Sequence, residues 1–426
     1  MDIDRLTAYQ ALLKIEKDQA YSNIVLNHLI EENKPKKPPF VRELTYGVLE
    51  KKYYLDYLIG QLAKKKPKKE PLTLIRMGIY QMQFMDSVPD HAAVDEMVEL
   101  AKKNCFSYAG LVNGVLRSFR RQQDSLRQPS GEKDPVIRLS ATYSCEPWIV
   151  RLWIEQYGEE RTEELLAASI AAPPVMIRVN MLRTSPAILK EKLKRKNISV
   201  QEVKGTNRSL ILEGRDIRSL TEYQDGLFSV QDASSVIAME TLAPRKGDLV
   251  VDVCAAPFGK TLACAEIMAN RGEIRAFDLY ENKVSLLEES AKRLGITIAS
   301  AEAHDATVPI PELVGAADCV ICDVPCSGLG VIRRKPEIKY KKIEDNGREL
   351  AKLQLQILET ASAYVKTGGS LLYSTCTINS VENRDVIQKF LREHTNFAMV
   401  RTRQLLPTAD GTDGFYFCKL KKKYEA

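Results

Sequence analysis

An alternation of short apolar segments with helical segments, which begins near residue 236, most constrains the fold of this 426-residue chain. Because the strands of a parallel sheet are covered by helices on both faces, they appear in a sequence as near-continuous apolar runs. The pattern therefore predicts an α/β domain with a doubly wound, mostly parallel sheet over residues 236–426. The candidate strands are residues 249–255, 273–278, 297–303, 318–323 and 370–375, with further edge strands at 397–406 and 414–423.

The residues before this domain follow different patterns. Residues 1–140 carry apolar side chains at helical spacing, interrupted by proline-containing lysine runs at 34–40 and 64–71, and they predict an all-helical domain. Residues 141–235 mix helical segments with strand-like ones such as 175–180, and they predict a small α+β subdomain. We therefore expect three domains, with boundaries near residues 140 and 235.

Composition excludes several classes of protein. Hydrophobic residues make up 44% and charged residues 28%, which are ordinary globular values, so a disordered, collagen-like or disulfide-scaffold chain is excluded. No apolar run reaches about 18 residues, which argues against a membrane span, and the first residues lack the apolar region of a signal peptide. Nine cysteines in such a chain predict reduced thiols and a cytoplasmic location.

Small and acidic residues follow the candidate strands at their carboxyl ends, where open α/β sheets bind ligands. The turn Cys254–Lys260 follows the first strand, and its small residues let a ligand approach the backbone. Asp278 ends the second strand, where a carboxylate suits the hydroxyls of a ribose, and Asp305 and Asp323 follow or end the next two strands. Since the turn has neither a GxGxxG nor a GxxxxGK[ST] motif, we expect a nucleoside cofactor such as S-adenosylmethionine rather than NAD or ATP.

Two cysteines follow the fourth and fifth strands, namely Cys326 in DVPCSGLG and Cys376 in YSTCTI. If a thiolate adds to C6 of a cytosine, C5 gains carbanion character and can accept a methyl group. A base must then remove the C5 proton before the thiolate leaves. A partner near N3, such as Asp323, assists the addition. These three side chains therefore predict a site for methyl transfer to C5 of cytosine.

Simple burial is the alternative interpretation for each cysteine, because free cysteine is among the most buried residue types. Cys319 and Cys322 lie within a central strand at positions that face opposite sides, so we expect no zinc site with Cys326, and no metal. We prefer burial for Cys254, Cys264, Cys319, Cys322 and Cys418.

The segments CAAPFGKT, DVPCSGLGVIRRKPEIKY and YSTCTINSVEN resemble the motifs of the RNA cytosine-C5 methyltransferases. FVRELTYGVLEKKYYLD, RMGIYQMQFMD and GLVNGVLR resemble a NusB-like domain. Together they resemble the bacterial 16S ribosomal RNA methyltransferase B family, also called the Sun or Fmu type, over nearly the full chain. The resemblance implies a NusB-like RNA-binding domain at 1–140. It also implies an RNA-recognition-motif-like subdomain at 141–235 and a Rossmann-like domain that uses S-adenosylmethionine at 236–426.

The resemblance also assigns roles to single residues. It implies that Cys376 is the nucleophile and that Cys326 serves product release, as or near the base for C5. It places Asp323 near the methyl group and N3 of the base. Asp278 would contact the ribose of the cofactor, and Asp305 the adenine side. The implied cofactor turn consists of Cys254, Ala255, Ala256, Pro257, Phe258, Gly259 and Lys260.

The implied substrate is a cytidine of 16S ribosomal RNA, cytosine 967 by the resemblance, and we expect a monomer. Basic side chains directly after the Cys326 segment should contact RNA phosphates at the rim of the active site. These residues are Arg333, Arg334 and Lys335. A DNA cytosine methyltransferase fits less well, because that class takes its nucleophile from the fourth-strand Pro-Cys.

Two residues depart from the family pattern. Phe258 replaces a glycine, so it predicts backbone strain and a ring that competes with the cofactor for space. Val324 replaces an alanine, and its added methyl groups predict crowding of the base pocket. Phe258 supports an alternative function, an RNA-binding ribosome-assembly factor whose methyl transfer is weakened or lost.

Overall fold

The computed structural model describes residues 2–18, 22–213, 217–340 and 345–424. Contacts divide the chain into two compact units. The first comprises Met1–Ile170 together with Ile332–Lys342, and the second comprises Ala171–Val331 together with Ile343–Ala426. A short segment from the C-terminal half therefore belongs to the first unit. The three domain boundaries expected from the sequence remain predictions.

The first unit is helical, as the sequence pattern predicts. Its helices are α1 (Ile3–Asp18), α2 (Ser22–Asn33), α3 (Pro38–Glu50), α4 (Lys52–Leu62), α5 (Lys69–Phe84), α6 (Asp90–Asn104), α7 (Ala109–Gln122), α8 (Pro135–Tyr143), α9 (Pro147–Tyr157) and α10 (Glu159–Ile170). The apolar faces of α1 to α7 share one core, in which Leu26, Leu74 and Leu116 are fully buried. Asp134 caps α8 by accepting a hydrogen bond of 2.7 Å from the backbone N–H of Val136.

The segment Ile332–Lys342 contributes the buried side chain of Lys339 and the half-buried side chain of Tyr340 to this unit. The Lys339 side chain donates to the carbonyl of Glu50 at 3.3 Å, and burial lowers the pKa of its ammonium. The Tyr340 hydroxyl donates to the carbonyl of Leu49, and its ring stacks on that of Tyr53 with centroids 6.0 Å apart. These contacts satisfy carbonyls at the C-terminal end of α3, which lack partners within the helix.

The second unit begins with a small α+β subdomain. Its elements are β1 (Val175–Val179), α11 (Pro186–Lys194), β2 (Ser199–Glu202), β3 (Ser209–Glu213), α12 (Thr221–Gln224) and β4 (Phe228–Val230). The strands form an antiparallel sheet in the order β2-β3-β1-β4. Leu189 and Leu193 of α11 share an apolar core with Ile177 and Leu210. β2 is not evident in the sequence, because its side chains are mostly exposed and show no apolar alternation.

The rest of the second unit contains a seven-stranded sheet. Its elements are α13 (Ala233–Leu242), β5 (Leu249–Asp252), α14 (Gly259–Ile267), β6 (Glu273–Asp278), α15 (Glu281–Leu294), β7 (Ala299–Ala303), β8 (Ala317–Asp323), α16 (Arg348–Tyr364), β9 (Val365–Thr375), α17 (Arg384–Glu393), β10 (Phe397–Leu405), α18 (Pro407–Asp410) and β11 (Phe415–Lys422). The strand order is β10-β11-β9-β8-β5-β6-β7. Strands β5 to β9 pair in parallel, whereas β11 pairs antiparallel with both β9 and β10.

Helices cover the seven-stranded sheet on both faces. Met239, Leu262 and Leu287 belong to one buried apolar cluster, and Leu358 and Phe390 belong to the other. The doubly wound, mostly parallel sheet predicted from the sequence is therefore confirmed, with an antiparallel edge. In the described part of the chain, no helix combines the length and the apolar character needed to cross a membrane.

Candidate active site

The carboxyl ends of β5 and β8 lie side by side where the strand order reverses, the usual ligand site of an open α/β sheet. A cavity of about 400 Å³ opens between these strand ends and the α+β subdomain. The subdomain contributes Arg178, Tyr223 and Gln231 to its wall. Among the site residues expected from the sequence, those that line the cavity are Cys254, Ala255, Ala256, Pro257, Gly259, Lys260 and Asp323.

Phe258 precedes α14 and has a left-handed backbone, with φ of 67° and ψ of 10°. This is the conformation that favours glycine, so the expected strain at this position is confirmed. The side chain is fully buried in the same apolar cluster as Leu262 and Leu287, and it is not among the residues that line the cavity. The ring therefore lies in the core rather than in the cavity, and its effect on cofactor binding remains a prediction.

Replacing Phe258 by glycine is expected to destabilise the protein. Relief of the left-handed backbone strain gains about 1–3 kcal/mol, whereas loss of a buried phenyl ring costs about 3–5 kcal/mol. Denaturant unfolding should therefore show a net loss of about 2 kcal/mol in the free energy of unfolding. Calorimetric titration should show less than about a threefold change in affinity for S-adenosylmethionine. A tenfold gain in affinity would mean that the ring does restrict the cofactor.

The two acids expected to hold the adenosine lie in different surroundings. Asp278 is almost fully buried against the turn, where its Oδ2 accepts a hydrogen bond of 3.1 Å from the backbone N–H of Ala256. Asp305 is exposed and accepts hydrogen bonds from the backbone N–H and the hydroxyl of Thr307, which hold the pKa of its carboxyl group below the usual value. Neither side chain lines the cavity, and their cofactor contacts remain predictions.

Asp323 is fixed at the end of β8 by two partners. Its Oδ2 lies 2.5 Å from Nζ of Lys260, and its Oδ1 accepts a hydrogen bond of 2.7 Å from the hydroxyl of Ser374. Burial opposes the charge of Lys260, but the neighbouring Asp323 carboxylate more than compensates and raises the pKa of the ammonium. The site therefore contains a fixed carboxylate paired with a permanent cation.

The two cysteines expected to do the chemistry lie next to each other. The sulfur atoms of Cys326 and Cys376 are 3.1 Å apart, and both side chains are partly exposed. The hydrogen bond to Cys376 and burial raise the pKa of the Cys326 thiol well above its usual value. The backbone N–H of Gly330 also donates to the carbonyl of Cys376 at 3.0 Å, which joins the two loops. This arrangement places the protonated thiol of Cys326 next to the Cys376 sulfur, beyond the carboxyl ends of β8 and β9.

Val324 and four of the cysteines, Cys264, Cys319, Cys322 and Cys418, belong to the packing of the fold. Val324 is buried in the apolar cluster that also contains Leu358, and it is not among the residues that line the cavity. Burial is also confirmed for Cys264, Cys319, Cys322 and Cys418. Cys254 is partly buried and lines the cavity.

Arg178 is a residue of the cavity wall that is not among the site residues expected from the sequence. It lies in β1, is buried, and forms a salt bridge with Glu266 at 2.9 Å. Its guanidinium also donates to the carbonyl of Gly259 at 2.8 Å and to the side chain of Gln231. The α+β subdomain therefore holds the cofactor turn directly. An arginine inside the otherwise apolar segment VMIRV is the signal that indicates a buried polar contact of this kind.

Asp252 is a second residue that the sequence analysis does not single out. It ends β5, lines the cavity, and accepts a hydrogen bond of 2.7 Å from Thr261 through its Oδ2. Its Oδ1 is buried and has no hydrogen-bond partner among the described residues. Burial raises the pKa of this carboxyl group to about 7. The cavity wall therefore includes a carboxyl group with one unsatisfied oxygen atom.

The three basic residues expected at the rim of the site, Arg333, Arg334 and Lys335, belong to the segment that joins the first compact unit. Their contact with RNA remains a prediction.

Family models match three parts of this chain. The model described as 16S rRNA methyltransferase RsmB/F matches residues 239–421, and the NusB family model matches residues 2–121. A model for the ferredoxin-like domain of RsmF/B-like methyltransferases matches residues 146–217.

Curated proteins and solved structures agree with these matches. The chain is 37% identical to the probable ribosomal RNA small subunit methyltransferase B of Bacillus subtilis, with 98% of each chain covered. It is 33% identical to the ribosomal RNA small subunit methyltransferase B of Escherichia coli, again with 98% of each covered.

The crystal structure of PH0851 shares the fold, with a TM-score of 0.81, 24% identity and 99% of each chain covered. A methyltransferase homologue from Pyrococcus horikoshii covers 68% of this chain and 100% of its own, with 27% identity and a TM-score of 0.61. The chain therefore belongs to the 16S ribosomal RNA methyltransferase B family, and it is a methyltransferase that uses S-adenosylmethionine.

Proposed function

We propose that this enzyme methylates C5 of one cytidine in 16S ribosomal RNA through a covalent adduct between Cys376 and C6. The observation that carries the proposal is the pair of sulfur atoms, Cys326 and Cys376, 3.1 Å apart beside the Lys260–Asp323 ion pair. Two adjacent thiols and a fixed carboxylate are the groups that this reaction needs. By the resemblance, the target is cytosine 967, and Asp278 and Asp305 hold the adenosine of the cofactor.

The cofactor turn and the strand ends fit S-adenosylmethionine. The small residues Ala255, Ala256 and Gly259 give a ligand access to the backbone of the turn. The carboxyl groups of Asp252 and Asp323 suit a ligand that carries a positive sulfonium and an ammonium group, and Oδ1 of Asp252 is without a partner among the described residues. The bound cofactor supplies an electrophilic methyl group.

The chain's own residues account for the remaining steps. Asp323 binds the N3 side of the flipped-out base, and the Cys376 thiolate forms a bond to C6, which makes C5 nucleophilic. After C5 has accepted the methyl group, a solvent water molecule on the Cys326 side of the ring accepts the C5 proton. The C5–C6 double bond re-forms, the C6–S bond breaks, and its electrons return to Cys376. The Cys326 thiol donates a hydrogen bond to the departing sulfur, which its raised pKa makes possible at neutral pH.

The target base must leave its stack to reach these sulfur atoms, so an unpaired or loop position in the RNA is required. Phosphate contacts from Arg333, Arg334 and Lys335 would support binding, and affinity should then fall steeply with salt concentration.

Mapping of 5-methylcytosine in ribosomal RNA tests the proposed function. RNA from cells with and without this protein is compared, and we expect one cytidine of the small-subunit RNA to lose its methyl group when the protein is absent. Purified enzyme with labelled S-adenosylmethionine should label small-subunit RNA and leave DNA unlabelled. Label in DNA alone, or an unchanged methylation map, would exclude the proposed reaction.

A further inference from the structure

Glu382 lies between the Cys376 loop and α17, and its side chain is fully buried. Its Oε1 accepts hydrogen bonds from the hydroxyl of Ser327 at 2.5 Å and from the side-chain amide of Asn379 at 3.1 Å. Its Oε2 accepts from the backbone N–H of Ser327 at 2.8 Å and from the side-chain amide of Gln354 at 3.1 Å. One carboxylate therefore receives four hydrogen bonds.

Three of these donors come from the two catalytic loops, and the fourth, Gln354, lies in α16. Ser327 directly follows Cys326, and Asn379 lies three residues after Cys376. The hydroxyl groups of Ser327 and Thr377 also lie 2.8 Å apart, which adds a second link between the loops. The carboxylate of Glu382 is thus the point at which the Cys326 loop and the Cys376 loop are tied together.

A buried carboxylate is costly unless hydrogen bonds compensate for the water it loses. All four donors are uncharged, so they satisfy the oxygen atoms without neutralising the charge. The negative charge therefore acts on its surroundings. The hydrogen bond to Cys376 and burial are the largest causes of the raised pKa of Cys326. The negative charges of Cys376, Glu382 and Asp323 raise it further.

We infer that Glu382 is a positioning residue for methyl transfer, which holds the Cys326 loop against the Cys376 loop and places a fixed negative charge beside the Cys326 thiol. The inference rests on the proposed function, because it assigns the pair of cysteines to the reaction. The hydrogen bonds set the separation of the two sulfur atoms, and the charge keeps Cys326 protonated as a hydrogen-bond donor to Cys376.

The Glu382→Gln variant tests both parts. In this variant an amide N–H₂ group replaces one carboxylate oxygen, and it cannot accept the two hydrogen bonds that this oxygen receives. We therefore expect the two loops to shift. A misplacement of about 1 Å is enough to lower methyl transfer about 10²-fold. Removing the charge should also lower the pH midpoint for alkylation of Cys326 by about one unit. That midpoint is measured by mass spectrometry of the Cys326 peptide in a Cys376→Ser background, where iodoacetamide reacts with one thiol of the pair.

Two control variants separate the charge from the geometry. Glu382→Asp keeps the charge but shortens the side chain, so it should retain the high alkylation midpoint while methyl transfer falls. Glu393→Gln removes a carboxylate from the exposed end of α17, and it should leave both measurements unchanged. If Glu382→Gln does not fold, Ser327→Ala replaces it. This variant removes only the hydroxyl donor and should lower methyl transfer by a smaller factor in the same direction.

The two readouts distinguish failure of this inference from failure of the proposed function. Alkylation of Cys326 requires no RNA, so a lower midpoint in Glu382→Gln supports the charge effect even if the wild-type enzyme transfers no methyl group to RNA. Failure of the wild-type enzyme to transfer labelled methyl groups to small-subunit RNA would overturn the proposed function instead. Wild-type methyl transfer together with a wild-type alkylation midpoint in Glu382→Gln would overturn the role of Glu382.

Discussion

Replacing Cys376 by alanine is expected to abolish methyl transfer to ribosomal RNA. The side chain follows β9 and lies 3.1 Å from the Cys326 sulfur, and no other thiol is assigned to the attack on C6. Without a covalent bond to C6, C5 of cytosine is too weak a nucleophile to accept the methyl group. Removing a nucleophile from a group of residues that act as a unit costs at least about 10⁴-fold in rate.

The measurement is transfer of labelled methyl groups from S-adenosylmethionine to small-subunit RNA under single-turnover conditions. Cys105→Ala is the matched control, because it removes a partly buried free thiol from the helical unit. The control should retain full activity, and circular dichroism should show both variants folded. Methyl transfer by Cys376→Ala at more than about one hundredth of the wild-type rate would remove the nucleophile assignment.

Replacing Cys326 by alanine is expected to trap the covalent RNA adduct. The Cys376 sulfur is still present to attack C6, but the thiol that donates a hydrogen bond to the departing sulfur is lost. General acid–base assistance of this kind contributes about 10²–10⁴-fold, so release should slow by that factor. The adduct then accumulates and migrates on a denaturing gel as a protein band of increased mass that contains RNA.

The double variant Cys326→Ala/Cys376→Ala is the control that assigns the adduct. We expect the band to disappear in it, since no nucleophile remains. Digestion of the trapped complex should yield a Cys376 peptide linked to one nucleotide. A band that survives in the double variant, or a single Cys326→Ala variant that turns over at the wild-type rate, would show that the two cysteines have other roles.

Local sequence patterns identify the parts of the site that strand ends create. Asp323 and Cys376 follow apolar strand segments, and because parallel strands end at one edge of the sheet, their proximity follows from the strand pattern alone. The fold class is predictable for the same reason, since the apolar runs and the helices between them specify a doubly wound sheet. The antiparallel pairing of β11 between β9 and β10 is not predictable in this way, because edge strands lack a distinctive local signal.

Contacts between distant residues account for what the sequence does not reveal. Arg178 reaches Glu266 and Gly259, which lie more than eighty residues later in the chain, so no local pattern records their pairing. The hydrogen bonds between Glu382 and Ser327 span 55 residues for the same reason. For Phe258, the left-handed backbone can be predicted from the sequence, because the family motif has a glycine at this position. The burial of its ring in the core cannot be predicted in this way, because it depends on tertiary packing.

The segment that contains Lys339 and Tyr340 has a consequence for dissecting this protein. It follows the Cys326 loop in the chain, yet the side chains of Lys339 and Tyr340 complete the end of α3 in the helical unit. The two compact units are therefore interleaved along the polypeptide, and no single cut can separate them intact. A fragment that ends at Ile170 would leave carbonyls at the end of α3 uncapped and the ring of Tyr53 uncovered. A chimeric protein joined at that point from two homologous sequences would build the first compact unit from segments of two different proteins.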